Sequence, residues 1–210
     1  MVKQRYDWFG WLGVISLISY TLAVIVSPSA YPGYQWMRQA VSDLSALNAP
    51  SRLLWMQLGS VYGPASVACL MLCCKAVTGH LNRPLRLGIY GFTLMNWISI
   101  LGYSAFPLSG ESTPLLIDRM HLVVTVLVVV FSVVSLVLIS WGGFRNAGIR
   151  SLSYWAIFAL LMMVSGALLS SGAGPDYFGL FERFSVFSAS GFTAVLGLYL
   201  LTGFKQTERS

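Results

Sequence analysis

An all-α membrane protein, a bundle of six transmembrane helices with both ends in the cytoplasm, is the fold that the sequence predicts. Three observations predict it. Of the 210 residues, 56% are hydrophobic and only 10% are charged, against roughly a quarter charged in an ordinary soluble domain. Six apolar runs recur along the chain, each near the length of about 20 residues that crosses a bilayer. The Lys and Arg residues also alternate in density from one connection to the next.

The runs fall at 8–26, 53–77, 87–106, 122–141, 152–171 and 184–204, joined by short connections, so residues 1–210 read as a single transmembrane domain. Lys3 and Arg5 before the first run suggest a secretory signal. Its apolar stretch is longer than the 7 to 15 residues of a signal core, so it is expected to stay as the first helix. In the second run Gly59 and Gly63 have the small-xxx-small spacing that lets helices approach closely, and Pro64 predicts a kink. Gln57 and Asn96 are expected to find polar partners across helix interfaces. Cys69, Cys73 and Cys74 lie too close together for a disulfide framework and read as small buried apolar groups.

The orientation follows from the basic residues. Lys3, Arg5, Lys75, Arg83, Arg86, Arg145, Arg150, Lys205 and Arg209 fall on one side, and Arg38, Arg52, Arg119 and Arg183 on the other. Cytoplasmic loops collect Lys and Arg, which places the first, third and fifth connections outside a prokaryotic cytoplasmic membrane. The net charge of +6 is explained the same way, because its residues are scattered rather than gathered into the stripe of a nucleic-acid binder. Trp8, Trp11 and Trp141 at one interface, and Tyr31, Tyr34, Trp36, Tyr103 and Tyr177 at the other, match aromatic belts.

The acids have the opposite bias. Asp43, Glu111, Asp118, Asp176 and Glu182 lie on the outer side, and only Asp7 and Glu208 inside. Acids contribute little to topology, so a local cause is needed. Asp43 with Arg52, Asp118 with Arg119, and Glu182 with Arg183 stand at or before helices entering from that face. Pairing there would lower the cost of charge near hydrocarbon. Helix capping is the simpler account of Asp118 and Glu182 taken singly. Asp118 and His121 share a helix face at i and i+3, so the carboxylate could orient the imidazole. His80, in the second connection, reads as a solvated loop residue. Opposite-face histidines exclude haem ligation between helices, no metal or other cofactor is expected, and the Walker, His-Glu-x-x-His and Gly-x-Ser-x-Gly patterns are absent.

Ser42-Asp43-Leu44-Ser45-Ala46, Phe106-Pro107, His121, and Gly179-Leu180-Phe181-Glu182-Arg183 occur in this order around the predicted helices. Together they resemble a prokaryotic membrane family, domain of unknown function 998, over nearly the whole chain. The resemblance implies a six-helix fold without an established activity, and it singles out Asp43, His121, Glu182 and Arg183.

Three functions compete. The first is a lipid or amphiphile site in which Arg52, Arg119 and Arg183 hold an anionic head group. In its enzymatic form His121 is the base, Asp118 orients it, Asp43 or Glu182 completes the site, and Ser42 or Ser185 is the candidate nucleophile. The second is a non-catalytic scaffold or accessory subunit. The third is a small proton-coupled transporter. Membrane lipids are the expected partners, with a second copy or another membrane protein as further candidates and no nucleic acid.

Overall fold

The computed structural model describes residues 7–79, 81–172 and 174–204. His80 lies outside the described residues, as do Lys3, Arg5, Lys205, Glu208 and Arg209 of the charge count. Seven α-helices are present among the described residues: α1 Trp11–Val26, α2 Arg52–Gly59, α3 Tyr62–Val77, α4 Arg83–Ala105, α5 Leu116–Phe144, α6 Arg150–Gly172 and α7 Phe178–Leu201. No strand occurs among the described residues.

The second apolar run is two helices, broken at Ser60 and Val61. Pro64 has no N–H for the Ser60 carbonyl, and its ring crowds that carbonyl, so the break falls one turn before it. Other boundaries move outward. α5 begins at Leu116 rather than 122 and α7 at Phe178 rather than 184, which puts Asp118 in the first turn of α5 and Glu182 inside α7. At the start of α4 Asn82 is a true cap: its Oδ1 accepts from Leu85 N–H at 3.0 Å and its Nδ2 donates to Gly142 O at 2.6 Å.

The helices close into a ring. α1 packs on α3 and α7, α3 on α4, α4 on α5, α5 on α6 and α6 on α7, while α3 also meets α7 across the interior. The described connecting residues 27–51, 106–115 and 174–177 form one end of this ring, the long-loop end. Residues 78–79, 81–82 and 145–149 form the short-loop end.

Among the described residues five stretches are long and apolar enough to cross a membrane: Asp7–Ala30, Arg52–Val77, Leu116–Phe144, Arg150–Ser170 and Phe178–Leu201. α4, at 23 residues, is long enough but less apolar than these. Leu122, Val126, Val130, Val134 and Val137 of α5 are exposed, an arrangement unfavourable in water but suited to hydrocarbon. The chain is therefore a multi-pass membrane protein.

The main core fills the short-loop half. Cys69, Cys73, Ile89, Phe92, Leu136, Leu152, Phe192 and Leu196 are buried together, with the Phe92 and Phe192 rings edge to face at 5.2 Å. The cysteines are free, and Cys69 and Cys73 are fully buried among apolar neighbours. The close helix crossings fall elsewhere than Gly59 and Gly63, where an added Cβ would meet only ordinary contacts at 3.9 and 3.5 Å. They lie at Gly10 against Gly197 and at Gly88, whose added Cβ would come 2.8 Å from Ile139 N. Helix propensity carries no signal of which glycine another backbone will approach. Asn96 donates to Phe92 O of its own helix at 3.3 Å and Gln57 is exposed, so neither bridges two helices as expected.

Candidate functional site

The long-loop end is organised around the first connection, which folds into the mouth of the ring. The Tyr34 hydroxyl donates to Ala40 O at 2.8 Å, and Asp43 Oδ2 accepts from Ala40 N–H at 2.9 Å, so side chains of this segment satisfy its own backbone. Ser42–Ser45 forms a 3-10 turn. Further on, Ser51 Oγ donates to Leu44 O at 2.8 Å. Leu47 N–H reaches Leu108 O of the third connection at 2.8 Å.

α7 fastens this segment from the other side. The N–H groups of a helix's first turn have no partner within the helix, and Leu180 N–H donates instead to Met37 O at 3.0 Å. A Cβ on Gly179 would collide with the Gln39 carbonyl, so a larger residue there would push the connection away. Arg183 Nη1 donates to Trp36 O and Gly179 O, each at 2.6 Å, and to Gln39 O at 3.2 Å, while Nη2 donates to the Tyr34 hydroxyl at 2.7 Å. Its guanidinium also lies 5.8 Å from the Trp36 ring centre. Glu182 Oε2 accepts from Val41 N–H at 2.5 Å, and Ser42 Oγ lies 3.5 Å from Oε1. Two adjacent residues thus hold a segment about 140 positions away.

Asp43, Glu182, Arg183 and Ser42 are brought together. Burial pushes the Asp43 carboxyl above its ordinary pKa, while the Ala40 hydrogen bond and then the positive fields of Arg183 and His121 oppose that rise. Desolvation likewise raises the Tyr34 phenol, against the pull of Arg183. His121 is thus within electrostatic reach of Asp43. Its Nδ1 lies 2.8 Å from Phe106 O. A carbonyl can only accept, so Nδ1 carries the proton, and in the neutral ring Nε2 is the basic nitrogen. The Tyr103 ring lies 4.7 Å from the imidazole.

The expected pairings are not the ones formed. Asp43–Arg52, Asp118–Arg119 and Glu182–Arg183 make no ion pair, because backbone groups take up the charges first. Arg52 donates to Leu47 O at 3.4 Å, Arg119 is exposed, and Arg183 is committed to carbonyls. An ion pair does join Arg38 and Asp176, both exposed, at 3.1 Å. Asp118 does not orient His121. It accepts from Ser109 N–H, Ser109 Oγ and Leu115 N–H, each at 2.7 Å, and so caps α5 and ties down the third connection. Ser185 Oγ donates to Met163 O at 3.3 Å in the α6 and α7 interface, so its hydroxyl is engaged with a backbone carbonyl. Among the described residues no three of His, Cys, Asp and Glu are placed to share a metal ion.

Beneath the first connection lie residues that sequence reasoning missed. The Tyr20 ring on α1 packs against Tyr62 at 4.8 Å, Trp55 at 5.8 Å and Phe187 at 5.8 Å. The Tyr20 hydroxyl interacts electrostatically with Tyr62, Glu182, Tyr103 and Arg183. Tyr103, read from sequence as an interface aromatic, instead donates to Thr125 Oγ1 at 3.2 Å beside His121. A signal was available, since Tyr20 and Tyr62 sit inside apolar runs rather than at their ends, where a phenol hydroxyl needs polar company.

Fold and site together define a multi-pass α-helical membrane protein whose helix ring is closed at one end by a clamped connection lying over polar and aromatic side chains. The chain belongs to the family described as Protein of unknown function (DUF998), whose model matches residues 14–199. No curated protein and no solved structure matches it.

Proposed function

We propose that the chain is a six-span protein of the prokaryotic cytoplasmic membrane, with its termini inside, that holds the polar head of a lipid or other amphiphile at its long-loop, extracytoplasmic end. One observation carries this reading: Asp43 on the first connection is brought into the field of Glu182 on α7, which also reaches the Tyr20 hydroxyl on α1, where that connection is fastened from both sides. The break between α2 and α3 offers a groove for acyl chains, and α4 supplies the sixth span.

In an enzymatic form His121 takes a proton at Nε2, oriented by the Phe106 carbonyl in place of Asp118. Asp43 or Glu182 completes the site, and Ser42 is the nearest hydroxyl to Glu182. Mass spectrometry of lipid extracts from cells with the protein, without it, and with His121→Ala tests this form. The expected result is an altered lipid species that reverts in the variant. An identical profile in all three removes catalysis. A purified protein that retains no amphiphile removes the binding reading too.

A second reading, a non-catalytic scaffold, draws on the clamp itself, since Glu182 and Arg183 both hold backbone groups of the first connection. Under it Glu182→Ala lowers thermal stability and leaves both lipid profile and lipid retention unchanged.

A further inference from the structure

We infer that a cleft between the first and fifth connections is a saccharide site, taking a neutral sugar ring that is either free or the head group of a glycolipid. The cleft has a volume of about 510 Å³, within the roughly 300 to 1,000 Å³ of small-molecule sites. Gln35, Trp36, Met37 and Arg38 line it from the first connection, and Asp176 and Tyr177 from the fifth. Neither Asp43 nor Glu182 takes part, so the inference does not rest on the reading above. The first wall is fixed in place. Trp36 O accepts from Arg183 Nη1 at 2.6 Å and Met37 O from Leu180 N–H at 3.0 Å, so α7 holds the backbone that carries the lining side chains. The Arg183 guanidinium also lies over the Trp36 ring, steadying an indole that still presents surface to the cleft.

The chemistry of the lining selects a neutral, hydroxylated ligand. Arg38 Nε and Asp176 Oδ1 pair at 3.1 Å, with their side chains 53% and 68% exposed. That contact leaves most of the guanidinium N–H donors and carboxylate lone pairs open to a ligand. The two charges cancel, so a phosphate would have to displace Asp176, and an ammonium would have to displace Arg38. A hydroxyl both donates and accepts, and adjacent hydroxyls on one ring can bond to both partners without separating them. The exposed Gln35 amide adds another donor and acceptor. Trp36 and Tyr177, 53% and 48% exposed, offer flat apolar surface to the C–H face of a sugar. A membrane-interface belt accounts for two such aromatics. It does not account for an ion pair that joins two connections in the same cleft.

The test uses the purified full chain in a polyoxyethylene-headed detergent that contains no sugar. Saturation-transfer NMR screens glucose, galactose, mannose, N-acetylglucosamine and maltose, each as the free sugar and as its octyl glycoside. At least one is expected to bind saturably. Equal affinity of the two forms marks a free sugar as the source, and tighter binding of the glycoside marks a glycolipid head. Trp36→Ala should weaken the bound form about tenfold, and Trp36→Phe by less than about threefold. Because Trp36 also lies against Arg183, Asp176→Ala on the other connection is the second variant. It should weaken binding about tenfold and leave the thermal midpoint unchanged. The phosphorylated and amino forms of the bound sugar should bind no tighter than the neutral one. Saturable binding by no sugar and no glycoside overturns the inference, as does binding that survives both Trp36→Ala and Asp176→Ala. Tighter binding of a charged form overturns it too.

Discussion

The two ends of the helix ring are stabilised by different means. At the short-loop end, connections of about five residues are capped locally by Asn82, and beneath them Phe92, Phe192, Leu136 and Leu196 form an apolar core. At the long-loop end the apolar cluster shrinks to Tyr20, Val24 and Val41 with partly buried neighbours. Polar bonds between distant segments replace it there. Packing of that first kind holds helices together but leaves little room for a polar ligand. The second kind orders a long connection over buried and partly buried polar groups, at the cost of burying charge. The difference marks the long-loop end as the place where a polar function can reside.

Substitutions at each end should break this comparison in different ways. Phe92→Ala at the short-loop end has the largest expected effect, a loss of about 3 to 5 kcal/mol from cavity and lost contacts. Unfolding in detergent would measure it, and protease sensitivity within 34–45 should stay unchanged below the transition. Arg183→Ala removes the clamp, and a charged hydrogen bond is worth about 1.5 to 3 kcal/mol. A loss of about 3 kcal/mol is expected, this time with cleavage within 34–45 well below the unfolding temperature. Equal cleavage in the two variants would erase the distinction between the ends. Asp118→Ala should cost about 1 kcal/mol, the usual worth of a helix cap, and should loosen the third connection, readable by hydrogen exchange at Ser109 and Leu115.

The smallest effect concerns Asp43 and appears as pH dependence. Its folded-state pKa is raised by burial. The protonated form is therefore favoured by folding, and that contribution is complete below the ordinary carboxylate pKa and lost as pH rises through the raised value. Stability should decline with rising pH across that window in the native chain. Asp43→Asn, which keeps an acceptor for Ala40 N–H, should flatten the decline, and an unchanged slope would assign it to another group.

Much of the bundle was legible because the bilayer is an exacting solvent: an unsatisfied backbone group there is so unfavourable that long apolar helices are the standard solution. The positions of the helices could be read to within several residues. The outward starts of α5 and α7 could not, since Asp118 and Arg119 in the first turn of α5, and Gly179 with Glu182 and Arg183 near the start of α7, interrupt the apolar pattern there. Asp43, Glu182 and Arg183 stood out as charges at a membrane boundary. Their partners stayed hidden, because backbone carbonyls of Trp36, Gln39 and Gly179 leave no mark in residue types.

By itself the sequence determined the membrane class, the approximate spans, the break ahead of Pro64 and the cluster of acids on one side, all local consequences of hydropathy, proline geometry and charge. Only the tertiary structure decided that Arg183 grips a connection instead of pairing with Glu182, that Asp118 caps instead of orienting His121, and that Tyr20, Tyr62 and Tyr103 gather near Glu182. Those outcomes depend on which backbone groups distant segments leave free when the ring closes, and no local pattern of residues encodes that.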